Sequence, residues 1–88
     1  MKVNEGFVLT SVAGSDLVVA TGKATKTLNG YITLNPTAKI MWEVLEKECT
    51  EQDLVNAILE KYDIDEATAT RDVRAFVEKL SNAGVISL

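Results

Sequence analysis

The chain has 88 residues, of which 47% are hydrophobic and 25% are charged, and its formal net charge is −4. This length predicts one domain, residues 1–88, with a single small core and no room for a deep enclosed active site. The sequence holds no histidine and one cysteine, Cys49, which excludes Ser-His and Cys-His nucleophile pairs, a histidine base and a Cys/His zinc cluster. A binding module is therefore favoured over an enzyme, and no metal or cofactor is expected.

The N-terminal residues and the charge balance restrict the classes of partner that the sequence favours. Residues 1–6, "MKVNEG", lack the apolar stretch of a signal peptide, and no apolar run is long enough to span a bilayer, so we expect a cytoplasmic protein without a membrane partner. Cations and acids number three and two over residues 1–34, three and seven over 35–64, and three and four over 65–88. Without a basic stripe to neutralise phosphates, nucleic acid is not an expected partner.

The first third of the sequence predicts β-strands. The segments "FVLTSV" (Phe7–Val12) and "LVVAT" (Leu17–Thr21) are rich in β-branched residues and flank the turn-forming cluster "AGSD", which predicts an antiparallel hairpin. We interpret "GKATKTLNG" (22–30) as a polar connection to a third strand, "YITL" (Tyr31–Leu34). These three strands predict one small sheet, whose edges present unpaired backbone N–H and C=O groups that invite another strand.

The first predicted helix follows the third strand directly. Asn35 is suited to cap its N-terminus, and Pro36 to occupy the first helical position. Spacings of three, four and seven residues place one apolar face on Ala38, Met41, Trp42 and Leu45, with a second ridge at Ile40 and Val44. We therefore expect this helix to be the most buried of the three and Trp42 to belong to the core.

The second helix is predicted to begin after Thr50, where Asp53 completes a variant of the capping box. Cys49 precedes the cap and is predicted to pack against Leu54 as a hydrophobic staple, in preference to a role as a reactive thiol. The apolar stripe of this helix comprises Leu54, Val55, Ile58, Leu59 and Tyr62.

The third helix is predicted from Asp65, its N-cap, to Gly84, which stops it. Its buried stripe comprises Ala69, Val73, Phe76, Val77 and Leu80, and "VISL" (Val85–Leu88) predicts a short final strand. The order of elements predicts an α+β fold of the winged helix-turn-helix kind: a three-stranded N-terminal antiparallel sheet, three helices and a short C-terminal strand.

Several segments together resemble the coenzyme PQQ synthesis protein D (PqqD) family. They are "LN" before the first helix, "TA" on its first turn, "WEVL" two turns later, the Thr-capped second helix and "DVRAFVEKLSNAGVI" at the end, so the resemblance spans roughly residues 6–88. The segment "EKECT" departs from the pattern, because many relatives have a glycine-containing turn there. The resemblance implies a recognition element for precursor peptides in the biosynthesis of PQQ or another ribosomally made, modified peptide.

What the resemblance implies is a non-catalytic peptide chaperone. Such a protein binds the leader of a precursor peptide and presents it to a modifying enzyme, for example a radical SAM maturase. The implied mode is strand addition, with the leader pairing with the strand formed by Tyr31, Ile32, Thr33 and Leu34 and placing apolar side chains in a groove beside the third helix. The candidate residues of that groove wall are Thr70, Arg74, Val77, Glu78 and Ser81.

Individual residues of this predicted wall allow two interpretations. Arg74 is suited to pair with an acidic leader residue, and Val77 to contact an apolar anchor. Alternatively, Arg74 and Glu78, four residues apart, form an ordinary surface ion pair worth about 0.3–0.5 kcal/mol.

Other functions stay open beside peptide binding. A DNA-binding winged-helix regulator shares the fold, but residues 65–88 carry one more acid than cations, and the third helix has no Asn or Gln before Asn82 to read adenine. A structural subunit that docks on an enzyme without holding peptide is a further alternative. The exposed strand edge also leaves open a homodimer.

Overall fold

The computed structural model describes residues 1–28 and 30–88. Its elements are, in chain order, β1 (Lys2–Val3), β2 (Phe7–Val12), β3 (Ser15–Ala20), β4 (Tyr31–Leu34), α1 (Pro36–Leu45), α2 (Glu51–Lys61), α3 (Glu66–Asn82) and β5 (Ile86–Ser87). They confirm the predicted α+β fold, in which a three-stranded N-terminal sheet precedes three helices and a short C-terminal strand. None of the helices in the described part of the chain is both long and apolar enough to cross a membrane.

The main sheet is antiparallel, with strand order β2-β3-β4. The predicted hairpin is confirmed, but its turn is shorter than "AGSD", since Ser15 and Asp16 already belong to β3. The two turn residues, Ala13 and Gly14, have φ values of 52° and 83°. A turn with two left-handed residues matches the twist of the flanking strands, and this explains why the strands pair up to the turn itself.

The connection between β3 and β4 is more ordered than the sequence pattern indicated. A 3-10 helix spans Gly22–Lys26 and buries Ala24 against the core. Asn29, the next-to-last residue of the predicted polar connection, lies outside the described residues.

The three helix starts are fixed by the predicted caps. The Asn35 side chain accepts a hydrogen bond from the Ala38 N–H at 2.8 Å, and Asp65 accepts one from the Thr68 N–H at 2.8 Å. At α2, the Thr50 hydroxyl and the Asp53 carboxylate satisfy each other's backbone N–H groups, which confirms the capping box.

The core lies between the inner face of the sheet and the helices. Trp42 is 1% exposed, as predicted, and the predicted stripe of α3 is buried along its whole length. The predicted apolar stripe of α2 is confirmed only as far as the helix end. Tyr62 lies just beyond Lys61 with extended backbone and is 37% exposed, so its assignment to the apolar stripe of this helix was wrong.

A second, two-stranded sheet joins the ends of the chain. β1 pairs antiparallel with β5, Lys2 opposite Ser87 and Val3 opposite Ile86. The Asn4 side chain donates to the Gly84 carbonyl at 3.0 Å beside this pair. The final strand was predicted as Val85–Leu88, whereas β1 was not predicted, because two residues carry too little pattern to signal a strand.

Candidate functional site

The hydrogen-bonding direction along β3 follows from the hairpin turn. Val12 and Ser15 flank a two-residue turn, and the closing pair of such a turn is hydrogen-bonded. Because the direction alternates along an antiparallel strand, Leu17 also bonds to β2, whereas the backbone groups of Val18 point the other way, towards β4.

The same alternation determines which backbone groups of β4 face outward. Val18 is paired with Ile32, so Ile32 and Leu34 bond to β3, whereas Tyr31 and Thr33 direct their N–H and C=O groups away from the sheet. Among the described strands, none pairs with that outer edge. The side chains of Ile32 and Leu34 are buried at 8% and 4% exposure, and Tyr31 is 64% exposed. β4 is thus an open edge strand with one face anchored in the core.

A groove runs between α1 and α3 beyond the Leu34 end of this edge. Its volume is about 360 Å³. Its floor is apolar, formed by the buried side chains of Ala38, Met41 and Phe76, and its walls carry the exposed charges of Asp72 and Lys79. We call this feature the α1–α3 groove; it is lined by Asn35, Thr37, Ala38, Met41, Asp72, Ala75, Phe76 and Lys79.

Two links hold the open edge and the groove in place. Asn35, the residue directly after β4, caps α1 and also lines the groove, so no flexible linker separates the strand from the helix. Lys39 of α1 lies with its Nζ 3.6 Å from Asp16 Oδ1, and Asp16 is the β3 residue opposite Leu34. This ion pair is partly exposed, so it contributes only about 0.2–1 kcal/mol.

The predicted wall residues of α3 lie on the other flank of its buried stripe. At 3.6 residues per turn, Arg74 lies about 200° around the helix from Phe76. The Arg74 Nε donates to Glu51 Oε1 of α2 at 2.9 Å, so this arginine pairs across helices and not with Glu78.

The accessibility of these residues also differs. Val77 is a core residue at 9% exposure, Arg74 and Glu78 are exposed, and Thr70 and Ser81 are half-buried. All five are among the described residues, and none of them lines the α1–α3 groove. Their contact with a peptide stays a prediction.

Cys49 belongs neither to β4 nor to the lining of the α1–α3 groove, and it has the properties of a packing residue. It is 8% exposed, and its backbone N–H donates to the Met1 carbonyl at 2.9 Å. Burial raises the pKa of its thiol, although the nearby N-terminal ammonium opposes this shift. In the described part of the chain, no three His, Cys, Asp or Glu side chains are grouped so that they could hold a metal ion.

The sequence matches the family model described as coenzyme PQQ synthesis protein D (PqqD) over residues 7–86. The chain belongs to the PqqD family. This confirms the resemblance drawn from the segments around Asn35, Trp42 and the end of α3. Among curated proteins, no match to the sequence is found.

Two solved structures share the fold of this PqqD-family chain. TbiB1, in complex with the TbiA(beta) leader peptide, is 24% identical in sequence with a TM-score of 0.77, and the alignment covers 97% of this chain and 93% of that one. Lasso peptide synthetase B1, complexed with the leader peptide, is 19% identical with a TM-score of 0.74, and the coverage is 96% and 93%. At these identities the likeness shows a common fold.

Of the residues lining the groove of this PqqD-family chain, the sequence predicted Asn35 as a helix cap and Ala38, Met41 and Phe76 as apolar packing residues, but it predicted none of them to contact the peptide. The buried stripe of α3 has two flanks, and the sequence pattern does not tell which one adjoins β4 and α1. One sequence signal does indicate the position of the groove. Asn35 and Ala38 are three residues apart directly after β4, so they share one face of the first turn of α1, and that turn has to lie beside the end of the strand.

Proposed function

We propose that this PqqD-family protein is a non-catalytic, cytoplasmic module that binds the leader segment of a ribosomally made precursor peptide. It presents the precursor to a modifying enzyme, such as a radical SAM maturase. The observation that carries the proposal is the open edge of β4, where Tyr31 and Thr33 direct their backbone groups outward beside an apolar groove. Family membership supports it, and so do the two structures of similar fold, both of which are complexes with leader peptides.

In this proposal the leader adds as a fourth strand next to β4. Tyr31 and Thr33 each offer one N–H and one C=O, and a backbone hydrogen bond contributes about 0.5–1.5 kcal/mol net. Such bonds set the register of the peptide but do not depend on its sequence. Association also costs translational and rotational freedom, so the strand alone gives weak binding.

The α1–α3 groove supplies the sequence preference. A cavity of about 150 Å³ already holds a benzene ring, so a groove of about 360 Å³ has room for an aromatic or branched aliphatic side chain. Burying such a side chain against Met41 and Phe76 contributes about 1.5–3 kcal/mol. Asp72 and Lys79 lie two helical turns apart on the groove wall. Asp72 favours a cationic leader residue at its end of the groove, and Lys79 favours an anionic residue at the other end.

The predicted residues on the far flank of α3 provide the alternative helix wall, formed by Thr70, Arg74, Val77, Glu78 and Ser81. They flank or belong to the core stripe on the side of α2, where Arg74 pairs with Glu51. A leader that used this flank would have to break or bypass that pair, so we place the peptide on the side of Phe76.

The experiment that tests the proposal is an NMR titration of the labelled protein with the leader of the precursor encoded nearest its gene. We expect shifts at Tyr31–Leu34 and at the groove residues Ala75 and Lys79. A DNA duplex is the control for the regulator alternative, and it should cause no shifts. Silence with the leader, together with shifts that weaken as salt rises when DNA is added, would instead favour nucleic-acid binding.

Pairing of two copies through β4 would compete with the leader for the same edge. Sedimentation at increasing protein concentration separates the two cases. We expect a monomer when leader is bound, because the leader then occupies the outward backbone groups of Tyr31 and Thr33.

A further inference from the structure

The sheet has a second open edge, on β2. By the alternation set at the hairpin turn, Val8 and Thr10 bond to β3, whereas Phe7 and Leu9 direct their N–H and C=O groups outward. The bond from the Thr21 N–H to the Gly6 carbonyl at 2.7 Å extends the same pattern beyond the strand. Among the strands that the structure describes, none pairs with this edge of β2.

A cavity lies beside that edge, on the opposite flank of α1 from the α1–α3 groove. Its volume is about 490 Å³. Its apolar lining residues include Phe7, Leu9 and Trp42. Its acidic lining residues are Glu5 and Glu46. We call it the β2 groove. An open strand edge beside a hollow with both apolar and polar lining residues offers what strand addition requires, because backbone groups and a side-chain pocket are both available.

The charge of the β2 groove is acidic. Glu5 and Glu46 are both exposed, and neither belongs to an ion pair within residues 1–28 and 30–88. No cationic side chain lines the groove among those residues. An incoming segment with a lysine or arginine would therefore gain a complementary contact, and one with a carboxylate would be repelled.

We infer that the β2 groove is a second docking surface, which accepts an extended segment of a partner protein bearing a lysine or arginine opposite Glu5 and Glu46. A second copy of this chain fits less well, because its β2, "FVLTSV", brings no cation to the two carboxylates. β3 separates β2 from β4, so the two open edges lie about 10 Å apart and face opposite directions. Both edges can therefore be occupied at once, and the inference does not depend on what binds β4.

The test uses two matched probe peptides, acetylated and amidated Thr-Val-Lys-Val-Thr and the same peptide with glutamate in place of lysine. Binding is followed by amide shifts of the labelled protein and by the fluorescence of Trp42, the one tryptophan of the chain. We expect the lysine peptide to shift Leu9 and Ser11, to change the Trp42 emission and to bind at least threefold more tightly than the glutamate peptide.

Two charge-neutralising variants make the test specific, one at Glu46, the C-cap residue directly after α1, and one at Glu43 within α1. Glu46→Gln should weaken binding of the lysine peptide about two- to fivefold, as expected for the loss of one exposed ion pair. Glu43→Gln is the control, because Glu43 is exposed in α1, three residues before Glu46, but does not line the groove, and this variant should leave the affinity unchanged.

Four results would overturn the inference. They are absence of binding by the lysine peptide, equal binding of the two peptides, a response confined to Tyr31–Leu34, and a dimer of the free protein joined through β2. Each is distinguishable from failure of the proposed function, which concerns the β4 edge alone.

Discussion

Arg74 of α3 donates from its Nε to Oε1 of Glu51 on α2 at a distance of 2.9 Å. The arginine side chain is 70% exposed and the glutamate 39%, so the pair contributes only about 0.2–1 kcal/mol to stability. The pair matters because it shows how α3 is rotated about its axis: the flank that carries Arg74 faces α2. The opposite flank, which carries Asp72, Ala75 and Lys79, lines the α1–α3 groove.

This orientation predicts which variants of α3 weaken leader binding. Ala75→Gln extends a longer side chain into the groove and should lower the affinity for the leader about tenfold, or about 1.4 kcal/mol. The control, Glu78→Gln, introduces the same residue on the other flank and should change the affinity less than about twofold. Calorimetric titration measures both. A larger loss for Glu78→Gln would place the peptide on the flank of Arg74.

Proline substitutions in β4 should have alternating effects. Thr33→Pro removes an N–H that points to the open edge, so the sheet should persist while leader binding is lost. Ile32→Pro removes an N–H bonded to β3 and displaces a buried side chain, so it should destabilise the fold by more than about 2 kcal/mol. Thermal unfolding and leader titration measure the two properties separately. Equal stability of both variants would contradict the assigned backbone directions.

The acid stability of the protein should depend on the cap of α3. The hydrogen bonds that Asp65 accepts from Thr68 lower the pKa of its carboxyl below the ordinary value of about 3.9. Because its pKa is lowered in the folded state, the ionised Asp65 carboxyl stabilises the fold. This stabilisation is fully present above the unfolded-state pKa and is lost as pH falls through the folded-state pKa. Asp65→Asn keeps a capping oxygen but cannot titrate, so its free energy of unfolding should fall less between about pH 5 and pH 2. If Asp65→Asn lost as much free energy of unfolding on acidification as the unchanged protein, the stabilisation would not come from the Asp65 carboxylate.

The reactivity of Cys49 should match its burial. Because its thiol pKa is raised and its side chain is 8% exposed, alkylation by iodoacetamide at pH 8 should be at least about tenfold slower in the folded protein than in urea. Mass spectrometry of timed samples gives both rates. Comparable rates would show that the thiol is accessible and would revive the reactive-thiol interpretation.

The parts of the fold that could be predicted are those whose signals are local. Asn35, Thr50 and Asp65 cap helices through hydrogen bonds that reach three residues along the chain, and all three were identified from the sequence. The hairpin was found for the same reason. Its turn was placed too broadly, since Ser15 and Asp16 look like turn residues but are held in β3 by pairing with β2 and β4.

The features that escaped prediction depend on distant parts of the chain. β1 is a strand only because Lys2 and Val3 meet Ser87 and Ile86, and two residues give no periodic signal. The groove wall depends on the rotation of α3 relative to α1 and β4. The stripe of buried residues fixes which side of α3 faces the core but treats its two flanks alike, and so the sequence alone did not separate Ala75 from Arg74.

Amide hydrogen exchange tests whether a leader peptide pairs with the outward backbone groups of β4. On addition of leader, the exchange of the Tyr31 and Thr33 amides should slow markedly, whereas Ile32 and Leu34, already bonded to β3, should change little. Strand addition at β4 therefore predicts protection that alternates along the strand. Leader binding that leaves Tyr31 and Thr33 exchanging as in the free protein would contradict strand addition at β4.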